Sequence, residues 1–471
     1  MANEFLTIKR LEPGYRPKNE RILDYAPVEL DYTKEQSIEQ AKRCMDCGIP
    51  FCHGAGCPFG NVVPEFNAFV RQNDWKAALN VLLDTSPFPE FTSRICPALC
   101  EGSCVNGLDG NAVGIRHIER AIIETGFANG WVEPFMPKER NGKKIAIIGG
   151  GPSGLAAAEV LNRAGFWVTI FDAAVHPGGL MRYGIPDFKL AKKYVERRID
   201  LMKREGISFE SGVEVGTDIS ANFLLRNHAA MLLTCGARNP RNLVVPGREN
   251  KGIYFALDYL TRQNRINGGE DFTPDPDMSA KGKRVVVVGG GDTGSDCIGT
   301  AIRQGAVSVT QIEIMPKPPL TRAPNNPWPE WPRLFKETSS HKEGCERRWN
   351  INTLEALGEN GVLKGLRCTE VEWQKNEKGG MTAVPKENGE FILEAELVLL
   401  AMGFTGHAAP KIVEELGLKT DERGRIVANA NNETSRKNVF IAGDMLTGPS
   451  LVVRSAANGM QAARNMAKIL G

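Results

Sequence analysis

Two stretches of the chain repeat one order of apolar and polar positions. After Lys143 and Lys144 comes IAII, a short apolar strand, then the turn GGGPSG, the helix-spaced LAAAEVLNRAG and a second strand, FWVTIFD. From Arg284 the order recurs as VVVV, GGGDTG, the helical SDCIGTAIRQG and the strand AVSVTQIEI. Strand, glycine-rich turn, helix and strand open a doubly wound parallel sheet, so two such units are predicted. Their separation is far too long for a tandem solenoid. The chain returns to strands with ELVLLAMG and NVFIAGD, and it ends on the helix-like SLVVRSAANGMQAARNMAKIL.

Ahead of the first unit lie helical patterns. Thr33 stands three residues before Gln36, a capping box, and IEQAKRC runs on into a group of cysteines. The polar, proline-bearing PFMPKERN at 134–141 reads as a linker, and 318–349, with PPLTRAPNNPWPEWP, reads as a long ordered loop. The expected division is a helical unit over 1–140, a nucleotide-binding unit over 141–280 plus 401–471, and a second one inserted over 281–400.

Composition narrows the class. A chain of 471 residues exceeds one ordinary core, and two or three domains follow. Lysine and arginine number 58 against 56 acids, a net charge of +2, which leaves no basic footprint for nucleic acid. No apolar run reaches the roughly 18 residues of a membrane helix. The opening MANEFLTIKR lacks the apolar centre of a secretory signal, so a cytoplasmic protein away from the membrane is expected.

Each glycine turn has the context of a dinucleotide site. Gly149, Gly151 and Gly154 supply a tight turn, close approach to a pyrophosphate and close helix packing, and Asp172 ends the next strand where a carboxylate meets a ribose diol. Gly289, Gly291, Gly294 and Glu313 repeat the arrangement. A glycine turn used for packing alone is the competing reading. Two dinucleotides in one chain suggest a flavin and a nicotinamide. The strand end VFIAGD can present Asp444 to the ribitol of FAD, which folds the C-terminal segment onto the first unit and leaves the inserted one for an exchangeable nicotinamide nucleotide.

Of 11 cysteines, seven fall in Cys44-x2-Cys47-x4-Cys52-x4-Cys57 and Cys96-x3-Cys100-x3-Cys104. A disulfide scaffold fits neither the length nor the expected compartment. Seven thiols overfill one 4Fe–4S cluster and fall one short of two. A zinc pair also wants eight ligands, and buried free cysteines are a third reading. His53 could complete the count but would crowd Cys52 on the same metal. A flavin nearby gives electron-carrying clusters a purpose. After Cys104 no closely spaced cysteine pair occurs, so no redox disulfide is available to the flavin.

The run RCMDCGIPFCHGAGCPFGNVVPEFN, with ICPALCEGSC, GGGPSGLAAAEVLNRAG, GGLMRYGIPDFKL, GGGDTGSDCIGTAIRQGA, IEIMPKPP and GPSLVVRSAANG, resembles the NADPH-dependent glutamate synthase small-subunit family across nearly the whole chain. The cysteine pattern is shared with the N-terminal domain of dihydropyrimidine dehydrogenase. The nucleotide units, with the strand MLLTCGA, resemble the flavoprotein disulfide reductases. The resemblance implies an α/β fold of two Rossmann-like domains preceded by an α-helical iron–sulfur domain. It implies FAD, NADPH and two 4Fe–4S clusters, one held by Cys44, Cys47, Cys52 and Cys104, the other by Cys57, Cys96, Cys100 and Glu119 of VGIRHIERAI. It also implies hydride transfer from NADPH to FAD without a protein acid or base, then single electrons passing to a large subunit containing FMN and iron–sulfur, which makes glutamate from glutamine and 2-oxoglutarate. No amidotransferase or FMN-barrel region is evident in this chain. An NAD(P)H:ferredoxin-type oxidoreductase or the input subunit of another complex is the alternative, and a structural cluster-bearing assembly module is a reading of another class. One local feature opposes NADPH: Glu313 lies where a carboxylate grips the free 2′-hydroxyl of NAD. Lys317 and Arg322 follow closely, and the resemblance makes Arg322 the expected 2′-phosphate contact.

Overall fold

The computed structural model describes residues 4–108, 111–377, 379–406, 409–422 and 424–471. The first apolar repeat forms β1 (Lys144–Ile148) and β2 (Trp167–Asp172), joined by the helix Pro152–Arg163. With β3 (Ser208–Ser211), β4 (Ala230–Leu233) and, from the far end of the chain, β13 (Val439–Ile441), they make a parallel sheet in the order β13-β4-β1-β2-β3. β1, β4 and β13 are buried along almost their whole length, as in a sheet covered on both faces.

The second repeat builds the same order again. β5 (Ile253–Phe255), β6 (Arg284–Val288), β7 (Ser308–Glu313), β8 (Glu346–Trp349) and β12 (Leu397–Leu400) lie as β5-β12-β6-β7-β8. An antiparallel sheet of β9 (Ile351–Glu359), β10 (Val362–Lys375) and β11 (Met381–Glu394) packs against it through Leu363, Leu366 and Cys368.

Two details differ from the sequence reading. The inserted unit begins before residue 281, because β5 pairs with β12, and Ala256, Tyr259 and Leu260 share one core with Val285, Val287 and Ile298. Within 318–349 the chain also forms the helix Ser339–Gly344, capped reciprocally by Thr338 and His341, and then β8. The two strands that join the units touch where Pro240 bridges Phe404.

Residues ahead of β1 form a helical unit whose core gathers Phe66, Leu79, Leu82, Ile118 and Ile122. The capping box of Thr33 and Gln36 opens its helix Lys34–Ala41. Buried ions fasten this unit to the others. Glu90 accepts from Arg198 Nε at 2.6 Å and Nη2 at 3.0 Å, and Glu343 lies between Arg21 (2.7 Å) and Arg303 (2.6 Å). No helix among the described residues is long and apolar enough to cross a membrane.

Candidate functional site

Near collisions build the first glycine turn. Gly149 has a φ of 108°, and a side chain there would meet Thr234 O at 2.5 Å; one at Gly154 would strike Gly149 O. Only glycine lets the turn pass beneath β4 and the helix Pro152–Arg163 close on the strand. At Gly151 the nearest atom to such a side chain is Gly179 Cα at 3.9 Å, so this face stays open to an incoming phosphate. Asp172 steadies the turn, accepting from Gly150 N at 2.7 Å and Ala174 N at 2.9 Å. Burial pushes its carboxyl up, and those two amides pull the other way. Thr234, which the sequence reading did not single out, donates from Oγ1 to Gly149 O at 2.8 Å.

A cavity of about 320 Å³ extends from this turn, and Asp172, Glu214, Arg238, Asp444 and Ser455 stand in its wall. The structure therefore brings the glycine turn, Asp172 and Asp444 around one space. Glycine explains the C-terminal return: a side chain at Gly459 would strike Ser153 O, so the helix Val452–Leu470 packs closely on Pro152–Arg163. Ser450 Oγ donates to Asp444 Oδ1 at 2.7 Å.

The second turn copies the first with different side chains. Gly289 has a φ of 125° and faces Ala401 O, Gly294 faces Gly289 O, and Gly291 is open. Glu313 takes the part of Asp172, accepting from Gly290 N and from Met315 N at 3.2 Å. Gln311 takes the part of Thr234, donating to Gly289 O at 2.8 Å. Its Oε1 accepts from His341 Nε2 at 3.0 Å and from Arg347 Nε at 3.2 Å. Burial pushes His341 down to about 4; the ring is neutral at pH 7 and its Nδ1 accepts from Thr338 N at 3.1 Å. Arg322 is engaged elsewhere. Its Nη1 donates to Asn326 O (3.3 Å) and Glu330 O (2.8 Å), and its Nη2 donates to Gly102 O of the helical unit (3.2 Å).

The clustered cysteines divide between two small cavities. Cys44, Cys47, Cys52 and Cys104 line one. Cys57, Cys96, Cys100 and Glu119 line the other, with Val453 of the C-terminal helix in its wall. His53 lines neither. A π-helical turn, Cys52–Gly56, carries the chain between them, and Gly56 allows it to approach Cys100, whose Cα would lie 2.8 Å from a side chain there. Glu119 is wholly buried; burial pushes it up to about 7, while the hydrogen bond from Asn61 Nδ2 at 2.9 Å acts against that. Thr85 in turn donates to Asn61 Oδ1 at 3.0 Å.

The donors fit a thiophilic group. Burial pushes Cys44 up to about 11, Cys52 and Cys57 to about 12, and Cys100 well above its ordinary value. Thiols so placed ionise readily only when a cation replaces their protons. Among the described residues no three histidine, cysteine, aspartate or glutamate side chains converge closely enough to hold a single metal ion. The sulfurs line small cavities, an arrangement that admits a body with several metal corners.

Known proteins place this architecture. The family described as pyridine nucleotide-disulphide oxidoreductase matches residues 143–462, and the one described as dihydropyrimidine dehydrogenase domain II, 4Fe–4S cluster, matches residues 21–131. The NADPH glutamate synthase small chain of Mycobacterium tuberculosis (strain ATCC 25618 / H37Rv) is 45% identical, over 96% of this chain and 92% of its own length. The NADH glutamate synthase of Schizosaccharomyces pombe is 42% identical over 98% of this chain, which corresponds to 22% of its own length. Mycobacterium tuberculosis FprA, solved in complex with NADPH, shares the fold with a TM-score of 0.55 at 19% identity, over 70% of this chain and 84% of its own. The chain thus belongs to the glutamate synthase small-chain family, with a pyridine nucleotide-disulphide oxidoreductase unit following a 4Fe–4S domain.

Proposed function

We propose that the chain takes hydride from NADPH at FAD and passes the electrons through two 4Fe–4S clusters to a glutamate synthase large subunit, which carries FMN and iron–sulfur and makes glutamate from glutamine and 2-oxoglutarate. FAD, when bound, supplies the conversion of a hydride into single electrons, and the clusters conduct them.

The remaining work falls to the chain's own residues. Gly151 leaves room for the FAD pyrophosphate at a helix start, while Asp172 and Asp444 offer acceptors to the ribose and ribitol hydroxyls. Gly289, Gly291 and Gly294 do the same for the nicotinamide nucleotide. Cys44, Cys47, Cys52 and Cys104 would hold one cluster, and Cys57, Cys96, Cys100 and Glu119 the other. Two separate cavities, each lined by four of these donors, support this division of the ligands.

One observation carries the reading. The first turn of the helix Val452–Leu470 contributes Val452 and Ser455 to the large cavity and Val453 to the cavity of Glu119. The two spaces thus share this helical turn as part of their walls.

Co-purification provides the test. The chain should isolate with a partner of several times its 51.5 kDa, and glutamate should form only when both are present. Isolation with a ferredoxin, and no glutamate from any mixture with the large chain, would favour the oxidoreductase alternative instead.

A further inference from the structure

The second glycine turn has a basic, aromatic neighbour that its sequence motif does not include. In the parallel pairing of β7 and β8, Gln311 lies opposite Arg347 and Glu313 opposite Trp349. Residues two apart on a strand share a face, and so do partners in register. All four side chains therefore stand on the face that holds the turn, where Gln311 binds Gly289 O and Glu313 binds Gly290 N. In such a fold the adenosine ribose rests at the end of this second strand, beside the carboxylate.

Two cations meet at that place. Lys317 Nζ lies 4.8 Å from the centre of the Phe335 ring and 5.2 Å from that of Trp349. The Arg347 guanidinium lies 5.0 and 4.9 Å from the same two centres. The rings meet edge to face at 5.8 Å. Arg347 is oriented by Nε on Gln311 and by Nη1 on Lys336 O at 3.0 Å; its Nη2 has no hydrogen-bond partner among the described residues. Lys317 is exposed and has neither a carboxylate nor a carbonyl partner there.

We propose that Lys317 and Arg347, held on the Phe335–Trp349 platform, form the 2′-phosphate subsite of the inserted unit. The inference rests on the reading that this unit binds a nicotinamide nucleotide, and it assigns the specificity that Arg322 was expected to supply. The local charge favours it. Both carboxylate oxygens of Glu313 accept backbone amides, as those of Asp172 do, so part of its negative charge is offset within the turn. Burial lowers the pKa of Arg347 and the Glu337 carboxylate acts against that; Lys317 supplies a second positive charge beside the same two rings. Arg322, with both terminal nitrogens on carbonyls, joins the loop to the helical unit.

Calorimetric titration of the purified full chain with 2′,5′-ADP and with 5′-AMP tests the assignment without turnover. The unmodified chain should bind 2′,5′-ADP the more tightly. Lys317→Met, which keeps the apolar stem, should weaken 2′,5′-ADP about tenfold or more, the scale of a charge-assisted hydrogen bond, and leave 5′-AMP unchanged. Arg347→Met should act in the same direction, and Arg322→Met should change neither ligand. Equal affinity for the two ligands in the unmodified chain, or a selective loss confined to Arg322→Met, would overturn the subsite. Failure of the unmodified chain to bind either ligand would instead remove the nucleotide site itself, and with it the reading on which the subsite depends.

Discussion

Val452 and Val453 are consecutive residues, yet Val452 lines the cavity of the first glycine turn and Val453 lines the cavity closed by Glu119. Both belong to the opening turn of one helix. A charge introduced at the second position should therefore act on one redox group and hardly at all on the more distant one. Val453→Asp should lower the reduction potential of the cluster proposed beside Glu119, because added negative charge disfavours the reduced form. A redox titration followed by electron paramagnetic resonance measures this; the signal of the cluster at Cys47 should stay in place. An unchanged potential at both would contradict the proximity.

Removing the carboxylate itself tests the eighth ligand. On the proposed division of ligands, Glu119→Ala should leave about half the iron and sulfide bound, because one of the two proposed four-iron clusters would lose a ligand, whereas His53→Ala should retain all of it. Iron and sulfide analysis of the two variants decides between them. Full iron in the alanine variant at 119 would place the eighth ligand elsewhere.

Much of this arrangement was legible from the sequence for local reasons. The two glycine turns and the capping box at Thr33 are each encoded within a few residues and form as expected, while the acids at the following strand ends, read as ribose acceptors, accept amides of the turns. The allocation of cysteines is different. Spacing left several readings open, because Cys104 joins Cys44 across a fold rather than along a segment, and only the resemblance divided the seven. Partnerships formed by packing gave no local signal at all. Gln311 looks like an ordinary strand residue until His341 and Arg347 are folded against it. Arg322 looked free in a proline-rich segment, but the fold provides three carbonyls for it. The early start of the inserted unit was hidden because β5 is only three residues long.

The ion triad at Glu343 should be a major element of stability. Its carboxylate, with a side chain 1% exposed, separates Arg21 from Arg303. Glu343→Ala leaves two buried guanidinium groups without their counter-charge, a loss of about 3–5 kcal/mol. Denaturant unfolding should show it as a lower midpoint, and it should be accompanied by loosening of the segment around Arg21 in hydrogen exchange. A change within experimental error would mean that the pair is no stronger than a surface contact.

His341 gives a defined acid response. Its pKa is depressed to about 4 from an ordinary 6.5, so between those values the unfolded chain binds the extra proton and the folded chain does not. Stability from this residue is full above about pH 6.5 and falls as pH drops towards 4. Across that interval the unmodified protein should lose on the order of 1 kcal/mol more than His341→Gln. Melting temperatures of the two proteins at several pH values measure the difference; parallel curves would mean that the ring is already protonated in the folded state.

One chain is proposed to hold a flavin and two iron–sulfur clusters within reach of each other. The most direct test of that proposal is the content of anaerobically prepared protein: flavin, iron, acid-labile sulfide and zinc per chain. Expected are about one FAD, eight iron and eight sulfide, with negligible zinc. Stoichiometric zinc without sulfide, or flavin with no iron, would contradict it.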